Sequence, residues 1–338
     1  MVSLVPELSL VVLSYKRFDA TTGPCLGTLS PALNDPRIEL ILVDNGSTDG
    51  AAALCADWTA QHPRAHYLPL PTNLGFGGGM NVGVGIATGE WVCLVNSDTL
   101  FPAGAIDALL ASLARVPSNV AMLGPVTNAA GNGQRLPLPQ LSMEHVVEAG
   151  ARAMRRPTGL FAPVYRTDFF CVAIQRSVWH QLGGLDMGFG LGYFEDFDFS
   201  LRLRAIGREQ VIAEDVFIAH VGSATFAGMG AAQKDLMRRN RGLLRDRHPQ
   251  VRFEPAREGN EQALRHLVTT AQVAGWTPAL CERAAWRFAT LLRDEAKSPF
   301  KRLRWRWHTR DLRRTLRAEG IEPRFPNQSI APASPPAT

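Results

Sequence analysis

Apolar positions in this chain come first as short unbroken runs and later at helical spacing. Leu8–Ser14 is rich in β-branched and aliphatic residues and carries no charge, the pattern of a strand covered on both faces. Residues 38–43 and 91–95 repeat that pattern, and residues 66–70 give it more weakly. Between these runs lie helical stretches. Residues 19–33 form one, interrupted early by Gly23-Pro24, and an Ala-rich helix follows with Ser47 or Thr48 as its cap. Residues 75–87 are rich in Gly, Ala and Val and predict a helix packed very close to its neighbours, and Pro102 opens another. Strands alternating with helices predict an α/β fold: a Rossmann-like, mostly parallel sheet covered by helices. In such sheets ligands bind beyond the C-terminal ends of the strands.

The second half changes character. Residues 125–165 are rich in Pro, Gly, Asn and Arg and predict a long excursion over the active face. Residues 168–175 resume as a strand, residues 195–206 as a helix, and residues 216–219 as a short strand delivering His220. From about residue 231 the chain turns helical and Arg-rich, and from residue 323 prolines and small polar residues predict disorder. The expected organisation is a catalytic domain over 1–230, a helical basic region over 231–322 and a disordered tail over 323–338.

Composition adds three constraints. With 46% apolar and 20% charged residues, the 338-residue chain can build a sizeable core. Its five cysteines are odd in number, scattered and without CxxC spacing, which points to buried free thiols rather than disulfides or zinc. No stretch has the length of a membrane span and no signal-peptide pattern opens the chain, so a cytoplasmic protein is expected, or one on the inner face of a membrane. The net charge of +5 hides an asymmetry: residues 1–230 hold 14 Lys and Arg against 20 Asp and Glu, and the remainder 22 against 11. The acidic part has the character of a catalytic body, the basic part of something that meets anions.

Four clusters carry chemistry. Asp44 ends a buried strand and enters the turn Asn45-Gly46-Ser47-Thr48-Asp49-Gly50, where a carboxylate can accept from a nucleobase or ribose; a turn acid is the plainer alternative. Asn73, Gly75 and Asn81 belong to a Gly-rich stretch that lacks the spacing of a dinucleotide or Walker loop. Asn96-Ser97-Asp98 ends another strand, where a carboxylate can hold Mg²⁺ or Mn²⁺ with help from phosphates. The last is the strongest: Asp186 after Gly183-Gly184-Leu185, then Tyr193-Phe194-Glu195-Asp196-Phe197-Asp198, then His220. Three carboxylates within four residues repel one another unless a cation, a helix N-terminus or proton uptake compensates.

Taken in order, VDNGSTDG, NLGFGGGMN, NSDT, GGLD, YFEDFDFSLRLRAIG and His220-Val221-Gly222-Ser223 resemble the family 2 glycosyltransferases, over roughly residues 8–225 and most closely the rhamnosyltransferase-like branch. The resemblance implies a GT-A fold, an inverting mechanism, a nucleotide-sugar donor, a glycan or lipid-linked glycan acceptor, and Mn²⁺ or Mg²⁺. It implies that Ser14 and Asp44 line the nucleotide pocket, with Asn73, Gly75, Asn81, Asn96 and Asp98 along the donor. Asp98 and His220 match the metal positions, Asp196 the catalytic base, and Asp186, Tyr193 and Glu195 the acceptor side. Two positions depart from the pattern: Asn96 stands where the metal motif has its first acid, and Met187 where an acid follows the GG-hydrophobic-Asp motif. Competing classes are a nucleotidyltransferase, whose basic Gly-rich loop after the first strand is missing here, and a non-catalytic glycan- or lipid-binding protein on the same scaffold.

The basic region contains Lys301-Arg302-Leu303-Arg304-Trp305-Arg306-Trp307-His308 and continues to Arg317. Trp305, Leu312 and Leu316 fall near one helical face, and Phe300, Leu303 and Trp307 on an adjacent one. Such a helix can lie on an anionic membrane, pack on the body or form a homodimer contact. Nucleic acid is not expected, because the acidic body has no recognition module.

Overall fold

The structure, a computed structural model, describes residues 6–136, 138, 141–222, 230–294 and 298–325. The expected tail beyond Phe325, and Ser223 after the histidine, lie outside the described residues. The strands are β1 (Leu8–Ser14), β2 (Ile38–Asp44), β3 (Ala65–Pro69), β4 (Trp91–Asn96), β5 (Thr99–Leu100), β6 (Val120–Val126), β7 (Phe161–Pro163), β8 (Cys171–Gln175), β9 (Glu209–Phe217) and β10 (Ala219–His220). The main sheet has eight strands in the order β3-β2-β1-β4-β8-β6-β9-β7, while β5 and β10 pair separately. The four strands from β3 to β4 run parallel, β8 runs against both β4 and β6, and β9 is parallel to β6.

Helices α1 (Thr22–Leu29), α2 (Ala51–Ala60), α3 (Gly75–Ile86), α4 (Ala105–Leu113), α5 (Met143–Met154), α6 (Arg176–Leu182) and α7 (Glu195–Ala205) accompany this sheet. Two apolar layers form. Leu10, Val12, Leu40 and Leu42 point into one with α1 and α4, and Val11, Ile41, Val43, Val92 and Leu94 point into the other with α3, α6 and α7. That split follows from the alternation of side chains along a strand. The five-helix remainder comprises α8 (Gly230–Arg247), α9 (Ala256–Ala274), α10 (Pro278–Arg293), α11 (Pro299–His308) and α12 (Arg310–Ala318).

Several local expectations are corrected. Gly23-Pro24 does not interrupt its helix: both residues sit in the first turn of α1, where proline's missing N–H costs nothing. Ser47 and Thr48 do not cap α2, whose first N–H is met instead by Asp49 Oδ1 at 3.3 Å. The excursion over 125–165 contains α5, capped by Ser142, and the edge strand β7. The short strand expected before His220 is the end of a longer one, β9, followed by β10.

Candidate functional site

The residues expected on the donor side lie where β1, β2 and β4 end. Ser14 and Asp44 are register partners on adjacent parallel strands, and both are buried. Ser14 Oγ lies 2.9 Å from Thr22 Oγ1, and Asp44 accepts from the Ser47 N–H at 3.1 Å and the Tyr67 hydroxyl at 3.4 Å. Burial and the Asp44 carboxylate together push the Tyr67 phenol up to about 12, so it stays a donor. The turn after Asp44 braces the loop after β1: Ser47 Oγ accepts from the Lys16 N–H at 2.8 Å and Asp49 from the Arg17 N–H at 2.7 Å. Lys16 and Arg17 are both left-handed, a conformation costly for non-glycine residues and held here by those bonds.

Asn73 and Asn81 have architectural bonds. Asn73 Oδ1 accepts from the Gly75 N–H and from Asn45 Nδ2, closing the turn into α3. Asn81 exchanges two 2.8 Å bonds with the Leu185 backbone and so fixes the Gly183–Asp186 loop. Gly75 is left-handed and its carbon lies so close to Gly190 that a Cβ would sit 2.2 Å from that carbonyl oxygen.

The metal-matching residues are brought together by the small β5–β10 pair. Asn96 ends β4, two residues before Asp98, and β5 pairs Thr99 with His220. His220 Nε2 stands 3.4 Å from Asp98 Oδ1, while its Nδ1 is 3.0 Å from the Ala129 carbonyl oxygen. That carbonyl only accepts, so Nδ1 carries a proton and Nε2 faces the carboxylate, the orientation a metal-ligating histidine takes. Burial opposes a charge on the imidazole, but Asp98 and the Ala129 carbonyl outweigh it and hold its pKa above the ordinary value. Phe170 stacks on the ring at 5.2 Å. No group of three or more His, Cys, Asp or Glu that could hold a metal occurs among the described residues. A carboxylate and an imidazole nonetheless fit Mn²⁺ or Mg²⁺, which fill their coordination with phosphate oxygens and water.

The acidic cluster resolves into three different environments. Asp198 is buried, ion-paired with Arg202 on its own helix at 2.7 Å and hydrogen-bonded to His248 Nε2 at 2.8 Å. Glu195 is buried and its Oε2 has no hydrogen-bond partner among the described residues; burial, then the neighbouring Asp196 charge, raise its pKa to about 8. Asp196 is half-buried, with Oδ1 accepting from the Phe197 N–H at 2.7 Å. Burial raises its pKa, Arg166 lowers it and Asp168 raises it, leaving it at about 6. Asp196 lines a cavity of about 170 Å³ with Arg166, Tyr193, Phe194, Phe197, Phe253 and Glu254.

Asp186 caps the turn at Gly188 and is ion-paired with Arg247. Tyr193 and Phe194 are left-handed, and the buried Asn240 holds this strained turn by donating to the carbonyls of Phe189, Gly192 and Tyr193 at 2.7–3.1 Å. The Tyr193 hydroxyl accepts from Gln233 at 2.6 Å.

Two further residues join the halves. Arg166 is ion-paired with Asp168, and Asp168 acts electrostatically on both Asp196 and His220. Asp98, His220, Asp168, Arg166 and Asp196 thus form one chain of interacting charges, from the pair that matches the metal motif to the acid that matches the base. Arg166, Asp168, Asn240 and His248 are not singled out from sequence; the available signal is Arg-Thr-Asp immediately before a buried strand.

Comparison with known proteins finds relatives of the chain. The sequence model of the family described as "Glycosyl transferase family 2" matches residues 9–179, just over half of the chain. The chain is 28% identical over 222 residues to the N-acetylglucosaminyl-diphospho-decaprenol L-rhamnosyltransferase of Mycobacterium tuberculosis H37Rv, covering 58% of this chain and 70% of the relative. It is 33% identical over 94 residues to the succinoglycan biosynthesis protein ExoO of Rhizobium meliloti, covering 28% and 26%. Among solved structures, the mannosyltransferase PcManGT of Pyrobaculum calidifontis, in complex with GDP-Man and Mn²⁺, aligns at a TM-score of 0.47 and 16% identity, covering 97% of this chain and 77% of that one.

Proposed function

The chain belongs to glycosyl transferase family 2 and is a glycosyltransferase, and from that premise we propose that it is an inverting, metal-assisted enzyme transferring L-rhamnose from a nucleotide-diphosphate donor to a lipid-linked glycan. The observation that supports this most is the placement of Asp196. It stands at the N-terminus of α7, in a cavity, with a raised pKa and an arginine beside it, and charges link it to the Asp98–His220 pair. The sugar and the lipid-linked acceptor rest on the mycobacterial relative's name.

In this mechanism Asp44 and Ser14 receive the nucleoside, so binding energy far from the reacting carbon positions it. Asp98 and His220 would hold Mn²⁺ or Mg²⁺, which supplies charge stabilisation for the departing diphosphate. Asp196 takes the proton from the acceptor hydroxyl as that oxygen attacks the anomeric carbon from the opposite face. Its raised pKa suits it: a carboxylate titrating near 6 is mostly ionised at neutral pH yet more basic than an ordinary aspartate. Arg166 favours the ionised carboxylate electrostatically. Asp186, Tyr193 and Glu195 shape the acceptor side, and the reaction takes place in the cytoplasm, at the inner face of the membrane that carries the acceptor.

The direct test supplies a panel of nucleotide sugars, with and without Mn²⁺, to the purified protein and a lipid-linked N-acetylglucosamine acceptor. Transfer of rhamnose with inverted anomeric configuration, lost in EDTA and restored by Mn²⁺ or Mg²⁺, is expected. Full turnover in EDTA would move the leaving-group role to protein donors, and another sugar preferred over rhamnose would reassign the donor.

A further inference from the structure

The outer surface of α11 and α12 combines two features that rarely occur together on a solvated helix pair. Phe300, Leu303 and Trp307 are spaced to share one face of α11, and they are 87%, 69% and 72% exposed. Trp305, on the opposite face, is 7% exposed and packs with Leu312 and Leu316 of α12 into the core of the C-terminal helices. The helix is therefore fixed in rotation by its buried tryptophan and holds three large apolar side chains outward.

The charge of these two helices is almost all of one sign. Residues 299–318 hold eight Lys and Arg against one acid, Asp311. Arg306, Arg310, Arg313, Arg314 and Arg317 line one concavity along α11 and α12. Glu258 and Glu261 of the neighbouring helix α9 line one cavity with Lys301, Arg304 and Trp307, and Arg252 and Arg265 pair with these two acids.

We propose that this surface docks the protein onto an anionic lipid bilayer, with Phe300, Leu303 and Trp307 entering the headgroup layer and the arginines meeting lipid phosphates. The chemistry is that of an interfacial amphipathic helix: aromatic and aliphatic residues on one face, basic residues around them. A second copy of this chain is the poorer occupant, since a two-fold contact would set two strongly cationic faces against each other.

The position also serves the acceptor. Arg252 and Trp307 line one cavity of about 730 Å³, whereas Phe253 and Glu254, the next two residues, line the cavity around Asp196. A short segment thus separates the docking surface from the base. The inference deepens the reading of a lipid-linked acceptor and rests on that reading only for the purpose of the docking.

The test is co-sedimentation of the full chain with vesicles of equal parts phosphatidylglycerol and phosphatidylcholine. Wild type is expected to pellet at low salt, to release at high salt and to ignore pure phosphatidylcholine. The exposed triple variant F300S/L303S/W307S should bind roughly tenfold more weakly or worse, and R314Q/R317Q should bind measurably more weakly, with melting temperatures unchanged in both. Hydrolysis of the nucleotide-sugar donor without acceptor, measured in parallel, should be equal in all three proteins. Its loss in wild type would count against glycosyl transfer and leave the docking result standing. Wild type remaining in the supernatant with anionic vesicles overturns the proposal, as does a triple variant that binds like wild type. A dimer in solution that the triple variant dissociates, with no vesicle binding, assigns the face to a second copy; salt-sensitive binding to duplex DNA in place of vesicles assigns it to nucleic acid.

Discussion

At the scale of single residues, three neighbouring acids have three roles because of what the fold places beside each. Asp198 has an arginine and a histidine as partners, Asp196 has an arginine and a cavity, and Glu195 has burial and, among the described residues, no partner for Oε2. The sequence shows the cluster and the need for compensation, but not which acid is compensated how. The partners Arg166 and His248 lie 30 and 50 residues from Asp196 and Asp198 in the chain, beyond any local pattern. Asp196→Asn keeps the shape and removes the proposed base, so turnover should fall by at least about 10²-fold with donor affinity within a few-fold. Stopped assays with a donor-binding control check this, and near-wild-type turnover would reassign the base. In wild type, kcat should rise with pH through an inflection near 6, as the Asp196 carboxyl ionises. Glu195 makes a stability prediction. Its folded pKa of about 8 lies above the ordinary 4.5, so the folded state holds the extra proton. Its contribution is complete below pH 4.5 and is lost as pH rises through 8. Glu195→Gln mimics the protonated form. The variant's melting temperature should therefore decline less than that of wild type between pH 4.5 and about 8, and parallel curves across that window would show that Glu195 is solvated.

At the scale of elements, the parallel half of the sheet is legible because its strands are continuous apolar runs between turn formers. β1 begins and ends where the pattern predicts, and β2, β3 and β4 differ by a residue or so. β6 and β9 are not legible. β6 carries Gly124-Pro125 near its end, and β9 carries Glu214 and Asp215 in its middle. Both acids are satisfied by distant partners: Glu214 by Arg283 and Arg287, Asp215 by Thr158 and the Gly159 N–H. The close packing expected of α3 is present, and it yields a paired prediction. A Cβ on Gly83 would meet Val11 at 2.5 Å and Val43 at 2.8 Å, whereas one on Gly85, exposed on the same helix, would meet nothing within 4 Å. Gly83→Ala should therefore cost about 1–3 kcal/mol from overpacking, less any gain in helix propensity. Gly85→Ala should gain up to about 1 kcal/mol. Urea unfolding of both variants separates the two effects; equal changes would mean α3 stands further from the sheet.

At the scale of the whole molecule, the charge asymmetry visible in the sequence suggests a body and an attached basic region, yet the structure joins them through a buried ionic contact. Glu214 of β9 meets Arg283 and Arg287 of α10, all three essentially inaccessible to solvent. Arg287 also donates to the Gly133 carbonyl and to Asn260 of α9, so its guanidinium touches the sheet, the excursion and the helical region at once. Trp286 and Ala263 of the helical region share an apolar cluster with Val126, Ile212 and Phe217 of the sheet. Taking charges out of water is costly, and one left without its partner costs far more than the pair contributes. Arg287→Met should destabilise the protein by at least about 1–3 kcal/mol, because Glu214 Oε1, the Gly133 carbonyl and Asn260 Oδ1 would lose the Arg287 donor in a site that excludes water, while Glu214 keeps its pair with Arg283. Because the same residue binds both parts, the loss should appear in one transition. Circular dichroism and tryptophan fluorescence, followed together in denaturant, are expected to give coincident curves for wild type and variant, the variant shifted to lower denaturant. Two separated transitions in wild type would instead show that α9–α12 unfold independently of the sheet, and that the buried triad orients the helices without making the two parts one cooperative unit.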